Sequence, residues 1–295
     1  MSDINKKHVF IVDGHNVFRR VFAALKQHGD DDSLERAIAA TTSTVDAIIK
    51  DIKLIKPSHV IVAFEGENGW RESYYPQYKV DKETGVRRKM TQAMKMSILE
   101  IKRHLENKNI MSISKDGFEA DDLIGCISTK LSAMNITHTI GTNDKDIFQC
   151  VNPICTCYDR SKKTVVDSRA VYERFGVRPE QMVDFLCLVG DSTDQITGVR
   201  GIGEKKAAAL LGKYGSLQSI FDNADEIGGK MGEVLADPDT QKHTQFIRRM
   251  IDIKVDIPIG LNLNEARIDM STLKPLTNAM PPQQVARYES SMGYN

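Results

Sequence analysis

His8-Val-Phe-Ile-Val-Asp13 and His59-Val-Ile-Val-Ala-Phe-Glu65 are short apolar runs that each close on a carboxylate, and they decide how the rest of the chain is read. Both read as buried strands, which suits a parallel sheet covered by helices. Two further runs repeat the arrangement: Met111-Ser-Ile-Ser leads into Glu119-Ala-Asp121-Asp122, and Ile136-Thr-His-Thr-Ile-Gly leads into Asp144-Lys-Asp146. A fifth acidic group, Asp191-Ser-Thr-Asp194, follows an apolar, helix-like stretch. In an open α/β sheet the ligand crevice lies beyond the carboxyl ends of the strands. Nine carboxylates gathered there would repel one another strongly unless cations neutralised them, so the pattern predicts a divalent-metal site. A helix N-cap would explain Asp121, Asp144 or Asp191 singly, but not Asp13 or Glu65 at the ends of buried strands.

Strands alternate with helices over the first 150 or so positions. Strands are expected at about 8–13, 59–65, 110–114 and 136–141, with two short edge strands in 154–166. A long amphipathic helix is expected from Ser33 to Lys56, opened by a capping box of Asp32 with Glu35 and stopped by Pro57. Further helices should start near Glu119 and Asp144. This order predicts a mostly parallel central sheet with right-handed crossovers, flanked by helices. From Ser168 the pattern turns almost wholly helical. Its landmark is Gly198-Val-Arg200-Gly201-Ile-Gly203-Glu-Lys205-Lys206, a glycine hairpin opening into a helix. The expected division is therefore 1–167 as an α/β core and 168–295 as a helical region. Beyond Asn262 the sequence offers no clear signal.

The 295 residues are 41% hydrophobic and 27% charged, with 40 basic and 40 acidic side chains, so the formal charge is zero. That total argues against a plain basic nucleic-acid binder, but the charges are segregated. Between Lys79 and Lys108 there are nine Lys or Arg against four acids, so an acidic pit inside a basic rim is expected. Five cysteines without a completing Cys or His pair read as reduced core thiols. The first residues lack the apolar segment of a signal peptide and no run nears the roughly 18 apolar residues of a membrane span, which predicts a cytoplasmic protein.

Taken together, these motifs resemble the 5′-nuclease superfamily: the 5′-nuclease domain of bacterial DNA polymerase I, the flap endonucleases and the bacteriophage 5′-exonucleases. Val12-Asp13-Gly14-His15-Asn16 is similar to its first motif, Arg71-Glu-Ser-Tyr-Tyr-Pro-Gln-Tyr78-Lys79 to its arginine-to-lysine segment, and Glu119-Ala-Asp121-Asp122 to its acidic helix start. Thr142-Asn-Asp144-Lys-Asp146 and Gly190-Asp191-Ser-Thr-Asp194 resemble its later metal motifs, and Gly198 to Lys205 its DNA-binding hairpin. The resemblance implies a PIN-like or resolvase-like nuclease core with a C-terminal helix-hairpin-helix region. It implies two Mg²⁺ or Mn²⁺ ions, one among Asp13, Glu65, Glu119 and Asp121 and one towards Asp144, Asp146 and Asp194, with Asp122 and Asp191 acting through water or a shared edge. Hard, oxygen-seeking cations are the right partners for such a set.

The resemblance further implies that Lys79 and Arg71 stabilise charge on the scissile phosphate. Residues 70–108 would form a helical arch over a single 5′ strand, with Tyr78, Arg87, Arg88 and Lys89 on the DNA and Tyr74 and Tyr75 available for base stacking. Gly198, Arg200, Gly201, Gly203, Lys205 and Lys206 would meet a duplex phosphate, and K⁺ is implied as an extra ion at the hairpin. The implied partner is DNA with a free 5′ end or 5′ flap, with RNA–DNA hybrid as an extension, and the implied state a monomer. One position departs from the family: Glu65 stands where Asp is usual, and Glu67 is a second candidate for that ligand. No polymerase domain follows the hairpin helix, which suggests a stand-alone cellular enzyme or a phage replication nuclease. The competing readings are a catalytically weakened DNA-binding protein on the same fold and a ribonuclease acting on RNA primers.

Overall fold

The computed structural model describes residues 7–80, 84–87, 89–276, 286–287 and 290. Arg88, together with residues 81–83 of the expected arch, lies outside the described residues.

A six-stranded sheet organises the first half. Its strands are β1 (His8–Asp13), β2 (His59–Ala63), β3 (Met111–Ile113), β4 (Thr137–Thr142), β5 (Cys155–Asp159) and β6 (Thr164–Val166), in spatial order β3-β2-β1-β4-β5-β6. The first five run parallel and only β6 is antiparallel, so β5 is an inner strand rather than an edge one.

Side-chain alternation splits the strands between two cores. Val9, Ile11, Ile61 and Ala63 face one side of the sheet, towards α5 (Ala120–Ala133). Phe10, Val12, Val60 and Val62 face the other, beneath α1 (Gly14–Ala24), α2 (Leu34–Ile55) and α4 (Gln92–Glu106). Every residue of β2 is buried, which explains why these strands read as unbroken apolar runs.

Two local expectations change. The cap of α2 is Ser33, not Asp32: its hydroxyl accepts from Arg36 N at 3.3 Å and donates to His28 O at 2.7 Å. The stretch 70–108 is not a continuous helical arch. α3 covers only Trp70–Tyr74, the described part of 75–91 is turns and a Val80–Arg87 bridge, and α4 is a sheet-covering helix packed on α2. Met94, Ile98, Ile101 and Leu105 are buried, and a helix with that apolar face is held to the core by it.

The second half is helical: α6 (Ser168–Phe175), α7 (Met182–Val189), α8 (Glu204–Tyr214), α9 (Leu217–Asp222), α10 (Ala224–Ile227), α11 (Gly229–Ala236) and α12 (Pro238–Ile251). A two-stranded ribbon of β7 (Gly190–Asp191) and β8 (Ile196–Thr197) sits between α7 and α8. The apolar cluster under α5 runs without a break into Phe185, Leu186, Leu211, Ile220 and Met250, so both halves share one core.

The chain after α12 then returns to the sheet. Lys130 and Cys126 of α5 donate to Ile259 O and Ile257 O, and Val60 N bonds Ala266 O at 2.8 Å. Leu273 ends in the core beneath α2 and α4. Residues 252–276, featureless in sequence, thus strap the helical half onto the sheet.

Candidate metal centre

Five separate segments bring carboxylates to the carboxyl end of the sheet. Asp13 ends β1, Glu65 lies two residues beyond β2, Glu119 caps α5 with Asp121 in its first turn, Asp144 follows β4, and Asp194 sits on the β7–β8 turn. All six line one cavity of about 530 Å³, together with His15, Asn16, Arg19, Lys79 and Arg87.

Each acid is oriented by its neighbours. Asp13 is almost fully buried; one oxygen accepts from Asn16 N at 2.9 Å, capping α1, and the other from Thr142 Oγ1 at 3.0 Å. Burial pushes its carboxyl up to about 7, with the charges of Asp144 and Glu65 adding to the effect. Asp121 is also pushed well above the usual carboxylate range, first by burial and then by Asp144, Asp13 and Glu119. Asp144 accepts from Asp146 N at 3.0 Å. Asp194 accepts from Tyr78 Oη at 3.0 Å.

Glu119 behaves differently. Burial would raise it, but Lys79 and Arg71 hold it below its ordinary value. Lys79 Nζ reaches Oε1 at 2.8 Å and Arg71 Nη1 reaches Oε2 at 2.7 Å. Despite its burial, Lys79 is held well above its ordinary value by the acidic groups around it, Glu119 first and then Tyr78, Asp194 and Glu65.

Among the described residues, no three His, Cys, Asp or Glu side chains are already closed around a single point. The carboxylates instead ring a wide cavity, with the Lys79 ammonium among them. The donor set nevertheless suits hard divalent cations: it is all oxygen, burial and then like charges push Asp13, Asp121 and Asp146 towards protonation, and among the described residues Asp146 keeps a buried Oδ1 without a partner. Added positive charge relieves the last two conditions.

Glu65 faces the cavity and contacts His15 Nε2 at 3.1 Å, whereas Glu67 points out towards Lys95. Burial pushes Glu65 up to about 7, and it pushes His15 down to about 3, so the imidazole is neutral and its Nε2–H is assigned as the donor.

Several expected site residues are placed elsewhere. Asp122 is fully buried and saturated: Oδ1 accepts from Arg71 Nη2 and Lys254 N, and Oδ2 from Arg71 Nη1 and Trp70 Nε1. With every lone-pair direction used, it is a structural anchor and not a metal ligand. Arg71, its partner, is 3% exposed and does not line the cavity, so it has no access to a phosphate. Asp191 is outside the lining too, held by Lys145 Nζ at 3.2 Å and Thr193 N at 2.8 Å. Asp146 is not among the residues that line the cavity either.

Tyr78 is buried, its hydroxyl wedged between Glu119 and Asp194 and unable to stack on a base. Tyr74 and Tyr75 pack on Phe246 of α12. Arg87 lines the cavity while bonding Tyr78 O, Pro76 O and Glu72, so it fastens its own loop. Lys89 is exposed, in a second depression with Arg19 and Lys26.

At the hairpin, Val199 and Ile202 are buried while Arg200, Gly201, Gly203, Lys205 and Lys206 are exposed. Gly203 caps α8 without a side-chain bond, leaving helix amides open to an anion. Gly201 adopts φ +80°, and its carbonyl accepts from Lys206 Nζ at 2.8 Å. Gly198 is required by contact: a Cβ there would lie 2.4 Å from Leu188 O.

The sequence motifs give no individual role to Asn16, Arg19 or Thr142, although Asn16 and Thr142 stand within the motifs around Asp13 and Asp144. Asn16 and Arg19 lie one turn apart near the start of α1, directly after Asp13, so helical spacing carried a signal for them. Thr142 is marked only as the first residue of the motif that contains Asp144.

Comparison with known proteins agrees with this layout. Residues 8–176 match the family described as 5′-3′ exonuclease, N-terminal resolvase-like domain, and residues 177–274 match 5′-3′ exonuclease, C-terminal SAM fold. A protein named flap endonuclease Xni from Colwellia psychrerythraea is 31% identical over 92% of this chain and 96% of its own length. Its namesake from Psychromonas ingrahamii is 30% identical over 90% and 98%. The T5 D15 protein co-crystallised with metal ions superposes with a TM-score of 0.67 at 20% identity, over 84% of this chain and 90% of that one. The catalytic core of Rad2 in complex with DNA substrate gives 0.54 at 14%, over 97% and 88%. The two structural likenesses speak for the fold; the sequence matches establish that the chain belongs to the 5′-3′ exonuclease family.

Proposed function

We propose that this member of the 5′-3′ exonuclease family is a structure-specific 5′-nuclease that hydrolyses DNA phosphodiester bonds, as a flap endonuclease, a 5′→3′ exonuclease or both, with divalent metal ions. The observation that carries the proposal is the convergence of seven carboxylates, the six above and Glu72, on one cavity that also holds Lys79. Ordinary folding gives no reason to gather that many acids behind a basic rim.

Asp13, Glu65, Glu119 and Asp121 would hold one ion, and Asp144, Asp146 and Asp194 a second. Bound there, Mg²⁺ or Mn²⁺ supplies an activated water and stabilises the leaving oxyanion. Lys79, 41% exposed at its side chain, presents a permanent ammonium to the non-bridging oxygens of the scissile phosphate. Neutral His15 orients Glu65, and Thr142 and Asn16 N fix both oxygens of Asp13. The exposed Arg200, Lys205 and Lys206, with the open amides of α8, bind duplex phosphates away from the cavity. K⁺ at the hairpin would share carbonyls with Lys206.

The working form is taken as a monomer in the cytoplasm, with RNA–DNA hybrid as a further substrate; among the described residues no helix is long and apolar enough to cross a membrane. Labelled 5′-flap, nicked-duplex and RNA–DNA hybrid substrates, each incubated with Mg²⁺, Mn²⁺ or EDTA, test the proposal. Cleavage of the flap with either metal and none in EDTA is expected. Undiminished cutting in EDTA overturns the metal reading. Binding without cutting points to a weakened DNA-binding protein, and a strong preference for the hybrid points to primer removal.

A further inference from the structure

Arg71 sits where three parts of the molecule meet. From α3 its guanidinium reaches α5 through Asp122, at 2.8 and 2.9 Å, and through Glu119 at 2.7 Å. Nε donates to Met250 O at 2.7 Å in the last turn of α12, and Nη2 to Asp252 O at 3.2 Å just beyond it. Asp122 closes the junction by accepting from Trp70 Nε1 and from Lys254 N in the strap. One rigid, planar cation therefore bonds the base of the 70–91 segment, the first turn of α5 and the end of the helical half at once. Lysine, with a single ammonium, cannot span these directions.

The consequence lies in α5. Glu119 is the cap of that helix and Asp121 is in its first turn, adjacent to Asp122. The bidentate grip on Asp122 sets the rotation of that turn, and the bond to Glu119 sets the direction of its carboxylate. Both cavity acids are thus aimed by a residue that does not itself enter the cavity.

We infer that Arg71 is a positioning residue which couples the seating of α12, and with it the helical half, to the orientation of Glu119 and Asp121. This rests on the metal-nuclease reading above. It replaces direct phosphate contact by Arg71 with control of the carboxylates from behind. A helical half that is loosely seated leaves the acids misaimed, so metal affinity responds to contacts made far from the cavity.

The test measures Mn²⁺ binding by calorimetry on the DNA-free chain, and 5′-flap affinity in EDTA, for wild type, Arg71→Met, Arg71→Lys and Arg248→Met. Arg248 anchors α12 to Asp184 of α7 and does not line the cavity. Arg71→Met should weaken Mn²⁺ binding about tenfold or more, as is typical when the groups behind metal ligands are removed. Arg71→Lys should recover part of that loss. Arg248→Met should weaken Mn²⁺ binding by roughly threefold through the same coupling. Flap affinity in EDTA should stay near wild type for the Arg71 variants.

Unchanged Mn²⁺ affinity in Arg248→Met overturns the coupling even if no Arg71 variant folds. A parallel loss of flap affinity in Arg71→Lys returns Arg71 to direct DNA contact and overturns its assignment. A wild-type chain that binds no Mn²⁺ overturns the metal reading and this inference together.

Discussion

Lys79 Nζ lies 2.8 Å from Glu119 Oε1 although Lys79 occupies a left-handed backbone conformation, φ +55°, that non-glycine residues seldom adopt. The surrounding structure enforces it: Arg87 bonds Tyr78 O, and Tyr78 is pinned between Glu119 and Asp194. A strained residue held at the mouth of an acidic cavity is the kind expected to act on substrate.

Lys79→Ala should therefore lower the single-turnover cleavage rate by about 10²-fold, the scale of one lost transition-state donor. Flap affinity should fall much less. Rapid-quench measurements at saturating DNA check it, and a raised dissociation constant with an unchanged rate would make Lys79 a binding residue only.

Asp13→Asn and Asp121→Asn should each abolish most turnover while raising thermal stability in EDTA by a few degrees. In the metal-free protein each removes an acid that burial, and after it the charges of its neighbours, push above the usual range. Scanning calorimetry in EDTA reads the effect; a lower melting temperature for both variants contradicts the idea that these acids repel.

Glu65→Gln should lose activity while Glu67→Gln remains near wild type, because only Glu65 faces the cavity. Glu65→Asp should keep substantial activity, more so in Mn²⁺ than in Mg²⁺. Flap cleavage by the three variants side by side decides it, and the opposite ranking of the two Gln variants would transfer the role to Glu67.

Gly198→Ala should destabilise the chain by about 2 kcal/mol, since its Cβ would overlap Leu188 O and the backbone of Gly190. At Gly203 an added Cβ meets nothing within 4 Å, so Gly203→Ala should fold normally and show its effect, if the open helix end meets phosphate, in duplex affinity. Urea unfolding and salt-dependent duplex binding separate the two.

The thiols should be inert in the native protein. Burial pushes Cys155 up to about 11 and Cys187 up to about 12, and it raises Cys150 and Cys157 as well. At pH 8, below those values, almost no thiolate exists to react. An Ellman titration should find little reaction until denaturant is added; rapid native labelling of several cysteines would show them accessible.

Periodicity and chain order were enough to specify the parallel sheet, the helices that flank it and the acids that close its strands. Strands buried on both faces must be continuously apolar, and the segments that follow the parallel strands fall at one edge of the sheet, so Asp13, Glu65, Glu119, Asp121 and Asp144 were legible as a set, whereas Asp194, on the β7–β8 turn, was legible only from its motif. The glycine hairpin was legible because Gly198 is required by close contact and Gly201 by its positive φ. Tertiary structure decided how neighbouring charges divide their work. Asp121 and Asp122 are adjacent in sequence, yet a helix turns about 100° per residue, so one opens on the cavity and the other meets Arg71 behind it. Arg71 and Lys79 look alike in a linear motif, and only the return of α12 places backbone carbonyls around one and leaves the other open. The strap after residue 252 had no periodicity to reveal it, because its partners are the sheet edge, α5 and the core beneath α2 and α4. Local pattern determines which groups a segment offers; which of them remain unpaired, and so free for chemistry, depends on distant segments that arrive only on folding.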